Sequence, residues 1–252
     1  MKRLILFVSL SAVIVFASTV FAEEKGSYVS YKKCGGCHIS QRDSWLDTTH
    51  AKAFDSLKPK VKANEKKKAK LDPNKDYTND KDCIGCHTTG YGEKGGYKPD
   101  MPEKKAKFLQ SVGCEMCHGA GSLYRKKHKE AGASFKKTKQ PTPRKELADT
   151  GQISNYEEAC AGCHLNYKGS PWKGAKEPYT PFTPSVDPKY KLDFEKAVKE
   201  TGKGKGKGKG KGKAIHEHFK LRDVFKGEPV SKIRAELQKT AKEPKAGEEE
   251  EE

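Results

Sequence analysis

Eight cysteines and four of the eight histidines fall into four copies of one five-residue pattern. These are Cys34-Gly-Gly-Cys37-His38, Cys83-Ile-Gly-Cys86-His87, Cys114-Glu-Met-Cys117-His118 and Cys160-Ala-Gly-Cys163-His164, and no cysteine is left over. The pattern C-x-x-C-H attaches c-type haem. Two sulfurs bond the two vinyl groups of one porphyrin edge, and the histidine that follows reaches the iron from below as its proximal ligand. Disulfides would not need a histidine after each pair. Zinc sites use C-x-x-C, but not four times with an immediate histidine. A thioredoxin-like pair would occur once, in a βαβ setting. The expectation is four covalently bound haem c groups, with Cys34, Cys37, Cys83, Cys86, Cys114, Cys117, Cys160 and Cys163 as attachment points. His38, His87, His118 and His164 are their proximal ligands.

Each iron has a sixth position, usually filled by methionine or histidine. Met1 lies at the extreme N-terminus, Met116 sits inside the third motif, and Met101 alone is free. His/Met ligation is therefore excluded as the general scheme, and bis-histidine haems of low potential are expected. The histidines outside the motifs are His50, His128, His216 and His218. Leu46, His50, Ala53, Phe54 and Leu57 recur at helical spacing, which places His50 on an apolar stripe. His128 shares a similar stripe with Tyr124 and Ala131. His216 and His218 are two apart, and on a helix such residues point in opposing directions. They serve two haems, or only one of them binds.

The elements that position these residues follow from the rest of the chain. At 33% hydrophobic and 34% charged, its 252 residues are poor material for a side-chain core. Covalently held porphyrins would supply the missing apolar bulk, so folding should wait on haem attachment. Helical patterns occur at residues 40–57, 103–112, 122–131 and 155–163. Residues 58–82 read as a lysine-rich surface excursion. Residues 165–190 carry Pro171, Pro178, Pro181, Pro184 and Pro188, too many for a long helix, and suggest an extended strap. No alternating pattern is sustained. The fold class expected is mainly α: a multihaem c-type cytochrome with haems as the core, long loops and little or no β-sheet.

Residues 1–22 read as a signal peptide: Lys2 and Arg3, an apolar run from Leu4, and a small-residue cleavage site before Glu23. The tetrahaem domain spans 23–200. Residues 201–213 are a Lys-Gly linker, flexible and self-repelling, with a span of roughly 20 Å. Residues 214–235 return to the haem domain with a distal histidine, and 236–252 form a disordered, acidic-ended tail. The formal net charge of +17 favours an acidic docking surface on a partner. Nucleic acid is not expected.

Several stretches carry a further resemblance: HAKAF from His50, DKDCIGCH from Asp80 with EKGGY after it, GCEMCHG from Gly113, CHLNYKGSPWKGAKEPYTPFTP from Cys163, and HEHFKL from His216. Over about residues 30–230 the chain resembles the tetrahaem cytochrome c-554 family of ammonia-oxidising bacteria. The resemblance implies three bis-histidine haems and a five-coordinate second haem, on His87. It implies His216 as distal ligand opposite His38, His50 opposite His118 and His128 opposite His164, with His218 as the alternative to His216. It implies stacked haem pairs in a periplasmic electron carrier for ammonia oxidation. The donor would be hydroxylamine oxidoreductase, and the acceptor a membrane-bound cytochrome leading to the quinone pool. The competing class of function is an enzyme that reduces nitric oxide at the open haem. The Lys-Gly run and the acidic tail depart from the family pattern.

Overall fold

The computed structural model describes residues 26–199 and 224–228. Its helices are short and follow the motifs. They are α1 (Tyr31–Cys34), α2 (Ile39–Leu46), α3 (Ala63–Lys68), α4 (Lys81–His87), α5 (Glu103–Ala106), α6 (Cys114–His118), α7 (Tyr124–Thr138), α8 (Lys145–Ala148), α9 (Tyr156–His164) and α10 (Phe194–Lys199). Two 3₁₀ turns, Phe54–Leu57 and Pro188–Tyr190, punctuate the loops. Strands are minimal among the described residues: β1 (Thr142–Pro143) pairs in parallel with β2 (Phe225–Lys226). The fold is mainly helical with long loops, as its sequence pattern implied.

Three of the four motifs close a helix on their histidine, for a local reason in each. Asp80 caps α4 by accepting from the Asp82 N–H, and Asn155 caps α9 by accepting from the Glu158 N–H. α6 is ended by Gly119 at φ +86°, where a Cβ would collide with the Gly151 carbonyl. In the first motif the chain is helical only up to Cys34, and His38 caps the next helix from outside.

Buried side chains form two small clusters. One gathers Phe54, Leu57, Tyr77, Ile84, Tyr97, Ala106 and Leu109 around α4. The other gathers Tyr124, Ala131, Leu147 and Phe225 on the inner face of α7. The second shows where the chain comes back: Phe225 is buried, and the Thr142 N–H donates to the Val224 carbonyl at 2.8 Å.

Some expectations are corrected. Residues 40–57 are not one helix. α2 stops at Leu46, turns occupy 47–53, and a 3₁₀ turn follows. His50 therefore sits in a turn rather than on a helical stripe. The 103–112 helix shrinks to α5, while α7 extends seven residues beyond the expected end at 131. Residues 58–82 are more than a surface excursion. They contain α3, they bury Ala69 and Tyr77, and Lys66 donates to the Lys58 carbonyl at 2.6 Å from a buried position. The linker at 201–213, residues 214–223, the leader and the tail lie outside the described residues, and His216 and His218 with them. Among the described residues no helix is long and apolar enough to cross a membrane.

Candidate haem centres

The four motifs assemble as two neighbouring pairs. α1 packs against α6, which sets the Cys34 and Cys114 side chains beside each other. Cys86 and Cys163 are neighbours in the same way. The first motif thus sits beside the third, and the second beside the fourth. α6 also packs on α9, which links the two pairs. None of the eight cysteines, Cys37 and Cys160 included, is spent on a disulfide.

The histidines meet in pairs. The rings of His38 and His128 lie 5.9 Å apart, stacked within 14° of parallel. Those of His50 and His164 lie 5.9 Å apart and tilted by 60°. Imidazole nitrogens bind first-row metals at about 2.0–2.1 Å, so a metal held between two rings sets their centroids roughly 6 Å apart. Burial lowers the pKa of His38, His87 and His164, and lowers His50 to about 4. Each ring is thereby kept in the neutral form that can ligate a metal. The apolar side chains Ile39, next to His38 in the chain, and Ile153 lie exposed, and Ile153 donates its N–H to the His118 carbonyl at 3.0 Å. Cysteine spacing and ring separation both fit haem c.

The ring pairs differ from those the resemblance implied. His128 meets His38, not His164, and His50 meets His164, not His118. The reason is topological. α7 begins six residues after His118 and runs past the first motif, because that motif and the third are neighbours. His50 is carried to the fourth motif by the turn after α2, where its carbonyl accepts the Val112 N–H at 3.0 Å. Trp45 reinforces the same seam, its indole N–H donating to the Val112 carbonyl at 3.1 Å. His118 lies edge-on to Tyr156 at 5.1 Å.

His87 is held differently. Its Nδ1–H donates to the Ala53 carbonyl at 2.7 Å, with the Ser56 Oγ at 3.1 Å. That leaves Nε2 for a metal. Among the described residues no second imidazole is stacked against His87. Met116 is engaged elsewhere, its sulfur accepting the Gly90 N–H at 3.2 Å, and Met101 packs on the cluster around α4.

Three contributors were not legible in the sequence. Ala53 and Ser56 carry no signal of their role toward His87. Glu115, inside the third motif, is 1% exposed and accepts N–H bonds from Val29, Ser30 and Gly121 at 2.8–3.1 Å. Burial raises its pKa, while these N–H groups pull it back down. A charged residue between motif cysteines was the one available hint. It pins the segment before α1 across the third motif.

Known proteins resemble the chain over most of its length. The family described as cytochrome c554 and c-prime matches residues 33–119. Cytochrome c-554 of Nitrosomonas europaea is 54% identical over 216 residues, 86% of each chain. The solved reduced-state structure of cytochrome c554 from Nitrosomonas europaea superposes with a TM-score of 0.76 at 52% identity, covering 87% of this chain and 99% of that one. On that identity and coverage, and with its paired motifs, the chain belongs to the cytochrome c-554 family: it is a c-type cytochrome, an electron carrier built on covalently bound haem c.

Proposed function

We propose that the chain holds four haems in two stacked pairs and relays electrons through them in the periplasm. His38, His87, His118 and His164 are the proximal ligands. His128 would complete the haem on His38, and His50 the haem on His164. A histidine of the returning segment, His216 or His218, would serve His118, and the haem on His87 would keep an open face. The observation that carries this reading is the pair of 5.9 Å imidazole separations, each joining a motif histidine to one from outside the motifs. The assignment of the returning histidine rests on the count of histidines and on the family's open second haem.

Haem supplies one-electron chemistry, with little reorganisation where imidazole stays on both faces. The protein's part is spacing and insulation. α1 against α6, and α4 near α9, bring the motifs close in pairs. α6 against α9 connects the pairs, so no transfer within the chain need cross a long gap. Hydroxylamine oxidoreductase as donor and a membrane-bound cytochrome as acceptor fit a basic carrier of this family, which would dock on acidic surfaces.

A second reading is nitric oxide reduction at the haem on His87, favoured by the lack of a stacked imidazole there. It also requires a proton donor at that face. An EPR spectrum of the ferric holoprotein tests both readings. The expected result is three low-spin signals and one high-spin signal that nitric oxide abolishes. Four low-spin signals would overturn the open haem and the enzymatic reading together.

A further inference from the structure

One short turn touches two of the proposed centres. In residues 50–56, the ring of His50 faces His164 at 5.9 Å. Three residues on, the Ala53 N–H donates to the His50 carbonyl at 3.3 Å, and the Ala53 carbonyl accepts His87 Nδ1–H at 2.7 Å. The Ser56 hydroxyl donates to that same carbonyl at 2.5 Å and lies 3.1 Å from His87 Nδ1. The Ser56 N–H donates to it as well, at 3.2 Å. The turn has little freedom to yield. Phe54 and Leu57 are buried in the cluster around α4, and the Val112 N–H holds the His50 carbonyl from the other side.

We propose that this turn is a mechanical link between two redox centres. It offers a ligand to the haem on His164 and sets the hydrogen bonding of the proximal ligand at the haem on His87. Ala53 and Ser56 are positioning residues that act through His87. Ligand histidines whose second nitrogen donates a strong hydrogen bond become more basic, which favours the oxidised metal. The Ala53 carbonyl divides its lone pairs among His87, the Ser56 hydroxyl and the Ser56 N–H. Removing the hydroxyl frees the carbonyl for His87 and shortens that bond. The same adjustment moves Ala53 against His50, because both are tied through Ala53's own N–H.

The inference rests on the ligand assignment above, and its test separates the two. Holoprotein carrying Ser56→Ala is compared with wild type and with Ser56→Thr, which keeps the hydroxyl. Haem content per chain is checked first. Redox titration then follows the high-spin signal and each low-spin signal by EPR, and resonance Raman reads the ferrous iron–histidine stretch of the five-coordinate haem. In Ser56→Ala the stretch should rise, and the high-spin centre should move to lower potential. The low-spin centre lost in His50→Ala should move with it, the other low-spin centres should stay, and Ser56→Thr should restore wild-type values. If the high-spin centre moves alone, or neither moves, the link is overturned. If wild type has no high-spin signal, the open-haem assignment fails instead.

Discussion

His128 and His50 differ in what binds them to their partners, and this makes the two ligand assignments separable. His128 lies on the long helix α7, packed against Phe225 at 5.3 Å between ring centroids. His50 lies in a turn anchored by backbone hydrogen bonds. Replacing either by Ala removes one imidazole: His128→Ala also loses the ring contact to Phe225 but keeps the α7 backbone, and His50→Ala keeps the backbone hydrogen bonds of its turn. We expect His128→Ala to convert one low-spin ferric signal to high-spin, and His50→Ala to convert a different one. The double variant should lose both and keep the third. EPR spin counts check this directly. If the two single variants lost the same signal, the pairing of His128 with His38 and of His50 with His164 would be wrong. The substitutions at His216 and His218 complete the set: only one of them should remove the remaining low-spin signal.

At the scale of elements, what was legible in the sequence is what chemistry fixes locally. The C-x-x-C-H spacing dictates a turn of helix, and α4, α6 and α9 end on their histidines accordingly. The proline count in residues 165–190 excluded a long helix, and only Pro188–Tyr190 coils there. Helical stripes misled where other forces intervened. The stripe from Leu46 to Leu57 is real in its apolar content, yet the chain breaks at Asp47 so that His50 and Phe54 can face different neighbours. Which motifs pair, and so which histidine from outside the motifs meets which motif histidine, is a long-range outcome that no local pattern encodes. The tie between the strap and α3 is another such outcome. Asp187 accepts from Lys68 Nζ at 2.9 Å and from the Lys189 N–H, and Lys189 Nζ also approaches Glu65 at 3.6 Å. The hydrogen bond from Lys68, then that from the Lys189 backbone, hold the Asp187 carboxyl down at about 2. Its folded-state value lies below the ordinary carboxylate value of about 3.9. The tie is therefore fully present above that pH and is lost as pH falls toward about 2. We expect Asp187→Asn to speed cleavage of residues 180–190 by an acid-active protease at pH 4, with the difference from wild type closing near pH 2. An equal difference at both pH values would show that the carboxylate does not hold the strap.

Charge governs how the whole molecule meets others. With 51 Lys and Arg against 34 Asp and Glu, the surface is basic throughout, so the question is where the excess is organised. Among the described residues, one such concentration follows the 3₁₀ turn Phe54–Leu57. Lys58, Lys60, Lys62, Lys67, Lys68 and Lys70 are exposed there, around an exposed Val61. Lys66 is the exception. It is buried with its Nζ 5.3 Å from the centre of the Tyr77 ring, and fastens the lysine-bearing segment to the cluster around α4. Through that cluster and the turn, the exposed lysines are rigidly connected to the residues holding His87. An apolar centre with a charged rim matches the anatomy of a transient interface, and long-range attraction raises encounter rates by roughly 10–10³ at low salt. Charge reversal at Lys60, Lys62 and Lys67 should therefore slow second-order electron transfer from an acidic redox partner by about tenfold or more at low ionic strength. The gap should close as the Debye length shrinks to about 3 Å near 1 M salt. Reversing Lys136 and Lys137 at the exposed end of α7 changes net charge two-thirds as much, on a different element. If that control slows transfer per charge as strongly, measured by stopped flow across the same salt series, net charge rather than this surface steers the encounter.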